Sequence, residues 1–187
     1  MRVIAGSMKG RKLKAPAGLS TRPLRGKVRE ALFNVLGTVA DIRMLDLFAG
    51  TGAVGIEALS RGAESCVFVE RGGLQTGLIA DNLAGLVGKA EIIRGDARST
   101  VKRFAETGRT FDLVFADPPY DMGLSQETTI LLDESGIIVS GGLFALTVRA
   151  KEILPERAGT LATVFDRRYG DTRLVIYRQE NDEDNSD

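Results

Sequence analysis

Asp117-Pro118-Pro119-Tyr120 combines a carboxylate, two prolines and an aromatic ring in four residues. Each proline has a locked φ and lacks an N–H, and each disfavours helix at the residue before it. The segment is therefore stiff and presents acceptors beside a ring. An exocyclic amine on guanine or adenine needs such a set, because its lone pair is delocalised into the base. The Asp117 carboxylate and the Pro118 carbonyl can hold both N–H bonds, turn the lone pair toward an incoming methyl group and favour a pyramidal nitrogen. Tyr120 can stack on the base, a contact worth roughly 1–3 kcal/mol. The chemistry requires no metal.

A second constellation lies upstream. DLFAGTGAVG holds Gly50, Gly52 and Gly55 in a G-x-G-x-x-G spacing, and Glu70 follows 20 residues after Gly50. Glycines there permit a tight turn and close approach of backbone to ligand, and a carboxylate ending the next strand can accept both ribose hydroxyls. The pair points to a cofactor containing adenosine. Asp46, just before the glycine loop, would repel a pyrophosphate and attract the ammonium of a methionine moiety. Asp96, followed by Ala97, is placed to accept from the adenine amino group. Asp96 also reads as an N-cap for a helix beginning at Ala97.

These residues fall at the ends of strands. From Arg43 onward, apolar runs at 43–48, 65–70, 90–95, 111–117 and 141–150 alternate with helical patterns at 53–61, Leu74–Leu86, 97–105 and Ser125–Glu134. Runs at Thr160–Asp166 and Arg173–Arg178, joined by RRYGDT, read as a terminal hairpin. The expected fold is Rossmann-like α/β, a mostly parallel seven-stranded sheet with helices on both faces, whose ligands bind at the carboxyl strand ends. Ahead of it, Met1–Gly6 and Gly10–Ala15 read as a short β-hairpin, Pro16–Pro23 as a loop, and Leu24–Leu36 as a helix that buries Val28, Ala31, Leu32 and Val35. The expected division is 1–37 as a basic extension, 38–179 as the catalytic domain and 180–187 as a disordered acidic tail.

The 187 residues are 43% hydrophobic and 27% charged, as in ordinary soluble domains. Histidine is absent, which excludes Ser-His-Asp and Cys-His catalysis and argues against a zinc site. Cys66 is the lone cysteine, and the N-terminus has no signal-peptide core, so a cytoplasmic protein without a membrane segment is expected. The net charge of zero conceals an asymmetry. Residues 1–29 carry Arg2, Lys9, Arg11, Lys12, Lys14, Arg22, Arg25, Lys27 and Arg29 with no acid. Such an arm suits a polyanion, and Lys9, Arg11, Lys12, Arg22, Arg25 and Arg29 are the candidate RNA contacts.

GSMKGRKLKAP, the following RP, VREALFNVL, DLFAGTGAVGIEALSRGA and DPPY resemble, in this order, the bacterial 16S ribosomal RNA (guanine-N2)-methyltransferase family, RsmD. The similarity runs from about Val3 to the final strand. It implies methyl transfer from S-adenosylmethionine to a guanine N2 of small-subunit ribosomal RNA, within an assembling subunit or on free RNA. It implies cofactor contacts at Asp46, Phe48, Ala49, Gly50, Thr51, Gly52, Glu70 and Asp96, and Gly55 and Ala97 complete the candidate cofactor set. It also implies catalysis at Asp117, Pro118 and Tyr120, and RNA on the basic segment. Three alternatives stand beside it: an adenine-N6 methyltransferase, which DPPY suits equally, an NAD(P)-dependent oxidoreductase, and a non-catalytic RNA-binding module.

Overall fold

Pro23 opens the first helix, where its fixed φ fits and its missing N–H costs nothing. The structure, a computed structural model, describes residues 1–16, 23–85, 89–120 and 123–180, with the backbone alone at 23–25 and 89. Among these residues are five helices and eight strands, in two compact units, Met1–Ala97 and Arg98–Asp187. Segment 1–37 lies inside the first unit.

The first unit carries α1 (Pro23–Leu36), β1 (Arg43–Leu47), α2 (Ala53–Ser60), β2 (Ser65–Glu70), α3 (Gly73–Leu83) and β3 (Lys89–Arg94). The strands run parallel in the order β3-β2-β1, with Leu47 opposite Val69 and Glu70 opposite Arg94. Met44, Leu45, Leu47, Val67, Phe68 and Val69 are all buried, as strands covered on both faces require. Helix α1 differs from expectation. It buries Val28, Arg29, Leu32 and Phe33, and leaves Val35 42% exposed. The face has rotated to admit Arg29. Gly37 (φ +69°) ends the helix and donates to the Phe33 carbonyl at 3.1 Å. Helix α3 stops at Leu83, short of the expected Leu86, with Gly85 at φ +76°; Leu86 lies outside the described residues.

The expected N-terminal hairpin forms in a short version: an antiparallel bridge joins Arg2 to Lys12, Val3 N donates to the Arg11 carbonyl at 3.0 Å, and Leu13 N to that of Met1 at 2.9 Å. The backbone toward its tip is bonded to α2. Ile4 and Ala5 donate to the Glu57 carboxylate at 2.7 and 2.9 Å, and Ser7 and Met8 donate to the carbonyl and hydroxyl of Ser60 at 2.7 and 3.0 Å. These bonds fasten the hairpin to α2.

The second unit takes nearly all of α4 (Ala97–Glu106), then β4 (Phe111–Ala116), α5 (Leu124–Ser135), β5 (Ile138–Arg149), β6 (Arg157–Ala158), β7 (Leu161–Tyr169) and β8 (Thr172–Gln179). The strand order is β4-β5-β8-β7-β6, parallel between β4 and β5 and antiparallel beyond. The expectation of seven strands is corrected to eight by the two-residue β6, which Gly159 (φ +57°) turns onto β7. The terminal hairpin is longer than the sequence suggests. Most of RRYGDT is strand, and Gly170 (φ +60°) supplies the turn. Phe104 packs on Phe111 at 5.4 Å, and Phe144 stacks on Tyr177 at 5.8 Å. No described helix is long and apolar enough to cross a membrane.

Candidate active site

The glycine loop follows β1 and is built from left-handed backbone. Phe48 (φ +59°), Gly50 (φ +58°) and Gly52 (φ +75°) turn the chain back from β1 into α2. Phe48 is a non-glycine residue in that region, a strained conformation that tends to mark ligand loops. Ala49 continues the ladder, donating to the Val69 carbonyl at 3.1 Å, and Gly52 closes the turn onto the Ala49 carbonyl at 2.8 Å. A Cβ at Gly50 would meet nothing nearer than 4.0 Å, so that stretch of backbone is open to a ligand. A Cβ at Gly52 would lie 3.3 Å from Ile56 and Ile79, so that glycine packs the loop onto α2 and α3. Gly55 is closed as well. A Cβ there would lie 2.4 Å from Phe68 and 2.5 Å from the Cys66 sulfur. It is a packing glycine that lets α2 settle on β2.

Glu70 ties the glycine loop to the start of α3. Its Oε2 accepts from Gly50 N at 2.9 Å and its Oε1 from Gly72 N at 2.7 Å. A carboxylate has about four acceptor positions, so two backbone bonds leave capacity for a diol. Asp46 is 1% exposed, and its Oδ2 accepts from Gly55 N at 3.0 Å. It thus supplies the acceptor that the N-cap residue of α2, Gly52, lacks, and the helix N-terminus favours its charge. Burial, and then the Asp46 charge, push the Cys66 thiol well above its ordinary pKa, so it stays protonated. Asp96 sits exposed after β3, immediately before α4, and Ala97 is buried. These three carboxylates are acceptors and fit a ligand that presents donors: ribose hydroxyls, an adenine amine and an ammonium group.

Sequence reading missed Asn82. It is 2% exposed on α3. Its amide donates to the carbonyls of Thr51 and Lys14, both at 3.1 Å, while its oxygen accepts from Lys14 N at 2.7 Å. It therefore ties the glycine loop to the N-terminal segment. A polar residue on a helix is an ordinary sight in sequence, and nothing there names its partners.

In the second unit the DPPY segment leaves the carboxyl end of β4. Pro118 is buried, Asp117 and Tyr120 half-buried, and Pro119 exposed. Thr147, buried on β5, donates its hydroxyl to Asp117 Oδ1 at 2.5 Å. The Tyr120 hydroxyl lies 3.4 Å from that of Thr172, and the Arg149 guanidinium stands 5.7 Å from the Tyr120 ring centre. Thr147, Arg149 and Thr172 were not foreseen. A threonine inside the apolar run FALTV was the available signal.

The candidate RNA contacts divide. Lys9 and Lys12 are exposed. Arg11 donates to the Ala84 carbonyl and to the Met8 sulfur. Arg29 is 6% exposed, donates to the Arg2 carbonyl at 2.6 Å and faces Glu57, so the structure removes it from the phosphate-binding set. Burial lowers its pKa, and the Glu57 charge partly offsets that. Arg22 and the side chain of Arg25 lie outside the described residues.

Comparison with known proteins gives concordant matches. The family model described as conserved hypothetical protein 95 matches residues 1–178. YlbH of Bacillus subtilis is 42% identical over 183 residues, spanning 96% of this chain and 99% of its own. The ribosomal RNA small subunit methyltransferase D of Escherichia coli (strain K12) is 34% identical over 182 residues, spanning 96% and 90%. The solved structure of yhhF from Escherichia coli superposes with a TM-score of 0.85 at 35% identity, covering 96% and 98%.

Proposed function

Because the chain belongs to the conserved hypothetical protein 95 (RsmD) family, we propose that it methylates the N2 amine of a guanine in 16S ribosomal RNA, with S-adenosylmethionine as the donor. When bound, the cofactor supplies an electrophilic methyl group on a sulfonium. Glu70 and Asp96 would hold its ribose and adenine, the Phe48–Gly52 backbone would line it, and the buried Asp46 would favour its ammonium. The Asp117 carboxylate and the Pro118 carbonyl would accept the two amine N–H bonds and aim the lone pair. Asp117 could take the departing proton, since the methylated cationic nitrogen is strongly acidic.

The observation that carries this reading is the Thr147 bond to Asp117 Oδ1. It fixes the carboxylate's rotation before any base arrives, and such preorganisation is what an acceptor in catalysis needs. The basic N-terminal surface around Lys9 and Lys12 would meet RNA phosphates. The deciding experiment uses cofactor labelled in the methyl group with unmodified 16S ribosomal RNA and partly assembled small subunits, followed by mapping of the modified base. N2-methylguanine is the expected product. Label on adenine N6 would overturn the target assignment, and no transfer to either substrate would overturn the activity.

A further inference from the structure

The strand register places a set of residues on one sheet face around Tyr120. In the antiparallel pairings Thr147 lies opposite Leu174 and Arg149 opposite Thr172, while Arg167 lies opposite Leu174 and Tyr169 opposite Thr172. Directly opposed residues point to the same face, as do residues two apart along a strand. Thr147, Arg149, Thr172, Arg167 and Tyr169 therefore share a face. It is also the face on which Asp117 and Tyr120 rest, through Thr147 and Thr172. The stripe holds two rings, each with an arginine guanidinium 5.7 Å from its centre: Arg149 at Tyr120 and Arg167 at Tyr169. Arg149 and Arg167 are exposed, and Tyr169 is half-buried at the hairpin tip.

Charge accompanies the rings. Lys151 is exposed at the same end, whereas Arg168, opposite Arg173, points to the other face and donates to the Gly170 carbonyl at 2.7 Å. The acids nearby are Asp166, Asp171 and Glu152. Asp166 is engaged by Arg173 at 2.8 Å on the opposite face, and Asp171 sits in the turn beside Gly170. Two strand spacings, about 10 Å, separate β7 at Tyr169 from β5 at Arg149, a span adjacent nucleotides of one strand can bridge. Rings and guanidinium planes that alternate along a basic edge suit unpaired bases, which stack on both, with phosphates taken by the remaining cations.

We propose, resting on the RNA-methyltransferase reading, that the β7–β8 hairpin tip together with Arg149 is a second RNA-binding surface. It grips the single-stranded nucleotide flanking the target base, with Tyr169 stacking its base and Arg149, Arg167 and Lys151 meeting phosphates. It delivers the target base to Tyr120 and Asp117, independently of the N-terminal arm.

The test compares wild type with the double variant Arg167→Ala/Tyr169→Ala and with Tyr169→Phe. The measurements are steady-state methylation of 16S ribosomal RNA, binding of a single-stranded oligoribonucleotide across a salt series, and calorimetric S-adenosylmethionine binding. The double variant should raise the RNA KM and weaken oligonucleotide binding about tenfold. Its salt slope should fall by roughly 0.7, with kcat and cofactor affinity retained. Tyr169→Phe keeps the ring and should behave as wild type. Unchanged KM, affinity and slope in the double variant would overturn the surface. If wild type methylates no ribosomal RNA, the functional reading falls, and the oligonucleotide comparison still decides the surface: equal affinities refute it, a selective loss supports it.

Discussion

Asp117 is a carboxylate with a holder. Thr147 fixes one oxygen, and the stiff Pro118-Pro119 backbone that follows fixes the chain leaving it. Removing the acceptor and removing its holder should have different sizes. Asp117→Ala should lower kcat about 10²–10³-fold, the usual cost of one preorganised electrostatic partner, and leave S-adenosylmethionine affinity intact. Thr147→Val keeps shape and loses the hydroxyl, and should cost about tenfold in kcat, since a hydrogen bond to a charged group is worth about 1.5–3 kcal/mol. Single-turnover methylation with calorimetry on the same samples separates the two effects. Wild-type turnover in Asp117→Ala would end the amine-acceptor mechanism.

Among elements, the glycine loop shows how glycines of one motif differ in duty. Gly50 faces open space, whereas Gly52 is both left-handed and hemmed by Ile56 and Ile79 at 3.3 Å. A β-branched residue at Gly52 would meet the strain of positive φ, about 1–2 kcal/mol or more, and the steric clash as well. Gly52→Val should therefore abolish the rise in melting temperature that S-adenosylmethionine gives the wild type. Gly77 in α3 has no positive φ, and a Cβ there would meet nothing within 4 Å. Gly77→Ala should keep the cofactor-dependent rise and gain slightly in stability. Thermal unfolding with and without cofactor checks both. A normal cofactor response in Gly52→Val would show that the loop does not line the ligand.

Over the molecule as a whole, the basic N-terminal residues separate into a structural and an exposed set. Arg29 lies buried beside the fully buried Glu57, while Arg61 reaches the same carboxylate at 2.9 Å. Arg29→Ala should destabilise the fold by about 3 kcal/mol, the order of cost for stripping one partner from a buried pair, and should leave the salt dependence of RNA binding unchanged. Lys9→Ala/Lys12→Ala should do the reverse. Deleting one phosphate-binding cation flattens the slope of affinity against salt by about 0.7, with little change in melting temperature. Denaturant unfolding and an RNA salt series on both variants give the answer. Identical slopes for wild type and the lysine double variant would take RNA away from this segment.

Much of this was legible in the amino-acid string because it depends on local rules. Buried parallel strands are continuous apolar runs, so β1 and β2 could be read from composition. Glycine spacing and a doubled proline restrict backbone angles wherever they occur, so the tight loop at Phe48–Gly52 and the stiff segment at Asp117–Tyr120 were visible as backbone features. Pairings between residues far apart in sequence were not. Arg29 has the type of a phosphate ligand, and only the arrival of Glu57, in a different helix, makes it a core residue. The N-terminal hairpin could be read from its alternation, but not that Glu57 and Ser60 would fasten it to α2. Thr147 and Thr172 are ordinary polar residues until the register sets them against Asp117 and Tyr120. A side chain's type limits which bonds it can make, and the packing of distant segments selects the partner.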